Sequence, residues 1–226
     1  MKQLMISQFA RGPSVLRAAG SVQLDPASRG PTRLGRWLVA RDAFALADPA
    51  TGRAIYDALS ANFPQVVEVL GNPTEVDVAA PLAAEGLGKF VDWMGVFRVC
   101  QGFERFAMAA AITTDQLEAA SAQRSRIRSH MLEVLGQDGV LAVPTTPGPA
   151  PLVDTPPADL DAWRTRLISL TSITGLAGLP QLNLPIAQLD GLPVGLGLIG
   201  PPGSDDALLE ITERLMAVLP PQPPRK

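Results

Sequence analysis

The chain has few side chains that could serve as a nucleophile or a general base. Hydrolysis of an acyl bond needs a nucleophile held beside a base, with hydrogen-bond donors directed at the developing oxyanion. The sequence holds a single histidine, His130, and a single cysteine, Cys100. A Ser–His–Asp triad built on His130 stays open as a hypothesis, because triad members need not be neighbours in sequence. The sequence around the serines does not resemble a strained nucleophile elbow. These serines are Ser14, Ser129, Ser169 and Ser172.

Neither the cysteine nor the glycines indicate a metal or cofactor site. Cys100 lies among apolar residues in VFRVCQGF, where cysteine usually acts as a small buried hydrophobic residue. One histidine and one cysteine cannot form a metal site of the common His/Cys types. The glycines at positions 195, 197 and 200 match G-x-G-x-x-G, but they lie in a predicted strand and Pro201 follows them instead of a helix. We therefore expect no metal and no cofactor.

Composition indicates a globular chain that forms one domain or a large piece of one. The chain has 226 residues, of which 46% are hydrophobic and 18% are charged. No stretch approaches the length of a membrane-spanning helix, and the first residues lack an apolar core of signal-peptide length. The single cysteine suits a reducing compartment. We expect a cytoplasmic protein that does not associate with membranes.

The charge distribution gives no case for nucleic-acid binding. The net charge is −3, although residues 1–41 hold seven basic side chains against one acidic one. Aromatic residues do not interleave with this basic segment, so a solvated face or a surface that meets an acidic partner explains it better. Arg124, Arg126 and Arg128 recur at every second position of a predicted helix. That spacing spreads them around the helix, which favours solvent-exposed positions.

Strands and helices alternate along the first part of the chain. Residues 12–20 favour a short helix, and 34–41 a strand. Asp48 and Pro49 are typical of a helix start, with aspartate as the cap and proline in the first turn. The segment Gln65–Leu70 alternates enough to predict a second strand. A strand–helix–strand unit of this kind favours parallel pairing.

The second part is mostly helical before it returns to strands. Residues 81–136 predict helices, with Thr113 and Gln116 as a capping box. A short buried strand at 140–143 leads into a proline-rich surface loop at 144–158, followed by a helix at 159–174. Asp190-Gly191 predicts the turn of a hairpin formed by 181–185 and 194–199, and Ser204 the cap of a last helix. We expect residues 217–226 to be a disordered, proline-rich tail.

This order of elements predicts an α/β fold in which helices flank a mixed sheet. Consecutive strands joined by helices favour parallel pairing, whereas the hairpin near the end must be antiparallel. We find no internal repeat and no interdomain linker. Residues 1–226 are therefore treated as one unit.

Several segments resemble the C-terminal half of the amidase signature family, similar to amidases of the indole-acetamide hydrolase type. The resemblance runs from about Phe9 to Leu219. The segments that carry it are QFARGPSVLRAAG, RLGRWLVARDAFALADPA, WMGVFRVCQGFE, VPTTPGPAP and GLAGLPQLNLP with DGLPVGLGLIGPPGSDDALL. Glycine, proline and leucine recur in the last two at the family's spacing.

The resemblance implies a partial amidase signature fold without the family's catalytic residues. In that family a serine, a second serine joined through a cis peptide and a lysine perform the chemistry, in a Gly/Ser-rich stretch that precedes everything matched here. The lysines of this chain are Lys2, Lys89 and Lys226, and no Gly-Ser-Ser run occurs. We therefore predict no catalytic residue in this chain. Thr145, Thr146 and Trp163 are candidate substrate-binding residues, since the loop follows a strand end; the threonines could equally only shape that loop.

Three functions remain open at this point. The first is the C-terminal part of an amidase, truncated or split, which would hydrolyse a small amide once an N-terminal amidase half complements it. The second is a non-catalytic binding or scaffold protein derived from an amidase, acting as a monomer or homo-oligomer. The third is an independent hydrolase that uses His130. Cutting a sheet in half exposes strand edges, which is a difficulty for the second hypothesis.

Overall fold

The computed structural model describes residue 10 and residues 12–23, 30–31, 33–101 and 112–219. Helix α1, Pro13–Gln23, continues beyond the helix predicted at residues 12–20. Part of the predicted helical region 81–136, residues 102–111, lies outside the described residues. So does the tail from residue 220 onwards.

A five-stranded mixed sheet forms the centre of the fold, as predicted. Its strand order is β2-β1-β3-β5-β4. Strand β1 pairs in parallel with both β2 and β3, and β5 pairs antiparallel with β3 and β4. The strands are β1 Arg36–Ala40, β2 Thr74–Val76, β3 Gly139–Pro144, β4 Gln181–Leu189 and β5 Leu192–Ile199. Strand β3 is buried at all six positions.

The strand predicted at Gln65–Leu70 is wrong, because this segment belongs to helix α4, Phe63–Leu70. Pro64 lies in the first turn of the helix, where its missing N–H costs nothing. Val66, Val69 and Leu70 are buried, which is the i, i+3, i+4 spacing of one helical face. The predicted parallel pairing exists, but β2 provides the second strand.

Helices cover both faces of the sheet. One face packs against α5 Phe90–Gln101, α6 Thr114–Leu135 and α7 Pro157–Ala177, around Leu38, Leu141 and Ile199. The opposite face, around Val39, Val140 and Leu198, packs against three other helices. These are α3 Pro49–Ser60, α4 and α8 Asp205–Val218. The remaining short elements are α2 Arg41–Phe44 and a 3-10 helix at Ala80–Glu85.

The predicted helix caps differ in how they work. The capping box is confirmed: Thr113 accepts from the Gln116 N–H at 3.2 Å, and the Gln116 side chain accepts from the Thr113 N–H at 2.9 Å. Ser204 precedes α8, but its hydroxyl donates to the Pro201 carbonyl oxygen at 2.7 Å and caps nothing. Asp48 precedes α3 and likewise makes no side-chain cap. Its carboxylate has another partner, described below.

Residues 217–219, the first of the predicted tail, are part of the folded structure. Helix α8 continues to Val218, and Leu219 is buried against the core. The hairpin turn is confirmed, with positive φ at both Asp190 (53°) and Gly191 (76°). Within the described ranges, no helix combines the length and apolar character needed to cross a bilayer.

Candidate functional site

The loop that follows β3 is fixed in place by its own polar groups and by strand β5. The Thr145 N–H donates to the Gly195 carbonyl oxygen at 3.0 Å, which extends the β3–β5 ladder by one residue. The Thr146 hydroxyl donates to the Gly148 carbonyl oxygen at 2.7 Å and closes a tight turn. Both threonines are half-buried, and Pro147 and Gly148 are buried. The two predicted threonines therefore lie at the carboxyl end of β3, where open α/β sheets bind ligands.

An ion pair between two helices anchors this loop. The Asp48 N–H donates to the Pro147 carbonyl oxygen at 2.7 Å, and Arg166 of α7 donates to the Asp48 carboxylate at 2.6 Å. A Cβ atom at Gly148 would lie 2.5 Å from that carboxylate, so a side chain there would displace it from this position. We call Asp48, Arg166 and residues 145–148 the anchored loop. Its members come from three distant parts of the chain, and no sequence signal connects them.

Polar side chains at the end of α7 and on β4 form a hydrogen-bonded row. The Thr174 hydroxyl donates to the Gln181 side-chain oxygen at 3.2 Å, and the Gln181 side-chain nitrogen donates to the Asn183 side-chain oxygen at 2.7 Å. A Cβ atom at Gly197 would lie 2.7 Å from that nitrogen of Gln181. The glycine therefore makes room for the amide side chains. Gly197 lies in a strand, as predicted, and marks a close approach of neighbouring side chains.

Two buried hydroxyls beside the anchored loop have no hydrogen-bond partner among the described residues. They are Oγ1 of Thr145 and Oγ1 of Thr51. A Cβ atom at Gly195 would lie 2.8 Å from Oγ1 of Thr145, so the hydroxyl lies directly over the glycine of β5. A buried hydroxyl without a partner costs about 1 to 3 kcal/mol, and it is a natural point of contact for a bound polar group.

Trp163 lies on α7, one turn before Arg166. Residues three apart on a helix share a side of it, so the half-buried indole lies on the side of α7 that carries the anchoring arginine. The loop that carries the threonines is hydrogen-bonded to the anchoring pair through the Pro147 carbonyl oxygen, whereas Trp163 is connected to that pair only through α7. The proposed binding role of all three residues stays a prediction.

His130, Ser169 and Ser172 lie elsewhere and hydrogen-bond to backbone carbonyl oxygens. Nε2 of His130 lies 2.7 Å from the Val78 carbonyl oxygen, away from the anchored loop. Burial raises the pKa of the Cys100 thiol, which disfavours the reactive thiolate. The hydroxyls of Ser169 and Ser172 donate to backbone carbonyl oxygens of their own helix at 2.8 and 3.0 Å. None of these contacts joins a nucleophile to a base.

Two of the three arginines predicted to be solvent-exposed are structural. Arg124 donates to the Leu176 carbonyl oxygen at 3.0 Å, and Arg128 donates to the Ala177 carbonyl oxygen. These carbonyls belong to the last turn of α7, which lacks intrahelical partners and carries partial negative charge. Arg126, between them, is more than half exposed and lies 3.5 Å from Glu85. Arg124 and Arg128 are four positions apart and therefore lie on the same side of α6, which faces α7. The expectation of exposure holds for Arg126 only.

Comparison with known proteins agrees with this architecture. The family described as Amidase matches residues 66–209, well over half of the chain. "Amidase 1" of Oryza sativa subsp. japonica is 39% identical over 105 residues, which are 46% of this chain and 24% of the relative. "Amidase 1" of Arabidopsis thaliana is 33% identical over 116 residues, 51% of this chain and 27% of the relative. The match thus spans about a quarter of the length of these curated relatives.

Solved structures share the fold over most of the chain. A crystal structure of an amidase superposes with a TM-score of 0.69 at 20% identity, covering 93% of this chain and 52% of the other. The allophanate hydrolase of Kluyveromyces lactis gives a TM-score of 0.58 at 20% identity, covering 85% of this chain and 33% of the other. At these identities the structures show the fold alone. Together with the family match over residues 66–209, they show that this chain belongs to the amidase family.

Proposed function

We propose that this chain supplies the C-terminal part of an amidase that hydrolyses the carbon–nitrogen bond of a small carboxamide. The observation that carries the proposal is an amidase fold whose candidate site holds polar binding groups but joins no nucleophile to a base. An amidase portion outside this chain would provide the serine, the cis-linked serine and the lysine that the family resemblance implies. A cytoplasmic location is part of the same proposal.

In the complete enzyme the serine oxygen attacks the carboxamide carbon, and the lysine finally accepts the serine proton. The tetrahedral intermediate then collapses, the carbon–nitrogen bond breaks, and the amine or ammonia leaves with that proton. Water hydrolyses the acyl-enzyme, which releases the carboxylic acid and restores the serine. Each of these steps belongs to groups outside this chain.

The anchored loop would contribute to substrate binding. The free hydroxyl of Thr145 can both donate to a carboxamide oxygen and accept from its nitrogen. Thr146 would keep the turn closed, and the indole of Trp163 would offer an apolar wall on the α7 side. The polar row, from Thr174 of α7 to Gln181 and Asn183 of β4, would offer further hydrogen-bonding groups.

Reconstitution with a separate amidase half tests the proposal. The probe is the N-terminal half of a family amidase, ending before the region matched here and carrying the Ser-Ser-Lys stretch. Co-expression with this chain should give hydrolysis of simple amides, measured as ammonia release, and neither half alone should be active. A stable complex that releases no ammonia would contradict the proposal.

A threonine-to-valine pair then tests the binding role. Thr145→Val removes the hydroxyl without changing the shape of the side chain, so kcat/KM of the reconstituted enzyme should fall about tenfold, equivalent to about 1.4 kcal/mol. Thr74→Val on β2, whose side chain is exposed, is the matched control and should leave kcat/KM unchanged. Equal kcat/KM values for the two variants would mean that Thr145 only shapes the loop.

The hypothesis of an independent hydrolase has no support in the geometry around His130. Nε2 of His130 is engaged with the Val78 carbonyl oxygen, and no serine hydroxyl of the described residues hydrogen-bonds to the ring. Replacing His130 with alanine should therefore leave the turnover of the reconstituted enzyme intact. The family match favours the amidase interpretation over a scaffold protein that only derives from one.

A further inference from the structure

Two arginines of α6 border a small cavity near the end of α7. The cavity has a volume of 320 Å³, and its lining residues are Ser121, Arg124, Ser125 and Arg128. These positions follow the i, i+3, i+4, i+7 spacing of one helical side, so their side chains lie together along α6. Both arginines are half-buried, whereas both serines are exposed. A cavity of this volume is at the lower end of the range for small-molecule sites.

Backbone carbonyl oxygens hold the two guanidinium groups in place. Nε of Arg124 donates to the Leu176 carbonyl oxygen at 3.0 Å, and a terminal nitrogen of Arg128 donates to the Ala177 carbonyl oxygen. Each guanidinium carries five N–H donors. The described residues accept from one nitrogen of each arginine, so the other donors are available to a ligand.

The cavity is positively charged, because its arginines have no acidic partner. Among the described residues no carboxylate forms an ion pair with Arg124 or Arg128, whereas Arg126, on the other side of α6, lies 3.5 Å from Glu85. The last carbonyls of α7 offset only part of the charge, since a helix C-terminus carries roughly half an elementary negative charge. Like charges four positions apart on a helix also repel each other. An anion bound in the cavity would relieve this repulsion.

The two serines keep the space beside the guanidinium groups open. The Ser121 hydroxyl donates to the Leu117 carbonyl oxygen at 2.7 Å, and the Ser125 hydroxyl donates to the Ser121 carbonyl oxygen at 3.0 Å. Their hydroxyl protons are therefore used within α6. The donors left for an anion are those of the arginines.

We propose that this cavity binds the phosphate or sulfate group of a small anion. Such a group has several acceptor oxygens, and guanidinium groups bind them through paired, charge-assisted hydrogen bonds. Two guanidinium groups fixed side by side can therefore bind one tetrahedral anion together. The group could come from inorganic phosphate or from a small phosphate ester, for which the cavity volume leaves room. The site does not depend on catalytic groups outside this chain.

Titration calorimetry of the full chain with inorganic phosphate tests the proposal. In about 0.15 M sodium chloride, which screens distant charges, we expect saturable binding at millimolar phosphate. Arg124→Gln and Arg128→Gln should each weaken this binding about tenfold, because each removes charge-assisted hydrogen bonds. Arg126→Gln removes the same charge from the other side of the helix and should change the affinity less than about twofold. Equal weakening by all three variants would overturn the proposal, as would the absence of saturable binding to the native chain.

A carboxylate placed in the cavity gives a measurement that keeps both arginines, which also hold the end of α7. Ser121→Glu puts an acid three positions before Arg124 and should weaken phosphate binding about tenfold. Ser129→Glu adds the same charge three positions after Arg126 and should stay within about twofold of the native affinity. Phosphate should raise the melting temperature of the native chain and of Ser129→Glu, but not that of Ser121→Glu. If Ser121→Glu binds phosphate as tightly as the native chain, the anion does not occupy this cavity.

Glycerol phosphate in place of inorganic phosphate distinguishes the two sources of the group. Tighter binding of the ester to the native chain would identify a small phosphate ester as the ligand. Equal or weaker binding of the ester would identify the free anion. In both cases Arg124→Gln should weaken the binding more than Arg126→Gln does, and the reverse order would contradict the site.

Discussion

The two edges of the sheet are built differently. Strand β2 is three residues long, includes Glu75 and is followed by Asp77. Strand β4 is nine residues long and uncharged. A short, acidic strand offers another chain little to pair with, whereas β4 offers four regular positions in its first half.

The polypeptide around β2 is also held more firmly. The carboxylate of Asp42 accepts from the N–H groups of Val78 and Ala79 at 2.9 and 2.6 Å, directly after β2. The Arg41 guanidinium donates to the Asp77 carboxylate through two nitrogens. At β4 the corresponding polar groups are the uncharged amides of Gln181 and Asn183. One edge of the sheet is therefore short and held by charged groups, whereas the other is long and carries uncharged amides.

Filling the glycine position under the polar row should have the largest effect. A side chain at Gly197 would overlap Gln181, and its Cβ would lie 3.0 Å from Val143, so Gly197→Val should lower the free energy of unfolding by about 3 kcal/mol. Urea unfolding, monitored by circular dichroism, measures this free energy. Gly35→Ala is the control, because a Cβ at Gly35 meets nothing within 4 Å. This variant should change the free energy of unfolding little. Equal effects would mean that the row does not depend on Gly197.

Removing the carboxylate that holds the β2 edge should have the next largest effect. Asp42→Ala deletes four hydrogen bonds from backbone N–H groups to a half-buried carboxylate, which should cost about 2 kcal/mol in urea unfolding. The β2 amides should also exchange faster, making this edge resemble β4. Asp57→Ala removes an exposed carboxylate on α3 and should stay within about 0.5 kcal/mol of the native chain. If the β2 amides exchange at the same rate in Asp42→Ala as in the native chain, Asp42 does not account for the difference between the β2 and β4 edges.

The exposed ion pair at the β2 edge should have the smallest effect. The Arg41 guanidinium hydrogen-bonds to Asp77 and holds the pKa of that carboxyl below its usual range. A lowered folded-state pKa gives stability that is present above the usual aspartate range and is lost as the pH falls through the lowered value. The urea midpoints of the native chain and Asp77→Asn should therefore differ slightly at neutral pH and converge in acid and in 1 M salt. A difference that grows as the pH falls would contradict this assignment.

Local signals predicted the elements whose structure depends on neighbouring residues. The Thr113–Gln116 box and the Asp190-Gly191 turn both follow from side chains or backbone angles within four positions. The segment Gln65–Leu70 failed because its six residues fit a strand period and a helix period equally well. Pro64, directly before it, favoured a helix start and would have decided the question.

The candidate site was predictable only in its location. The strand-to-loop transition after Val143 pointed to Thr145 and Thr146, and the structure places both at the strand end. The pair that anchors them could not be predicted, since Asp48 and Arg166 are 118 positions apart and each alone resembles an ordinary surface charge. The same holds for Arg124 and Arg128, whose carbonyl partners belong to another helix.

The central position of β3 has a consequence for synthesis on the ribosome. Its parallel neighbour β1 is made about a hundred residues earlier, but its other neighbour, β5, pairs through Ile199 and Leu198 near the end of the chain. Until those residues leave the exit tunnel, the nascent chain presents the fully buried sequence GVLAVP with one side open. We expect this interval to be the point at which the growing polypeptide depends most on chaperones that cover apolar segments.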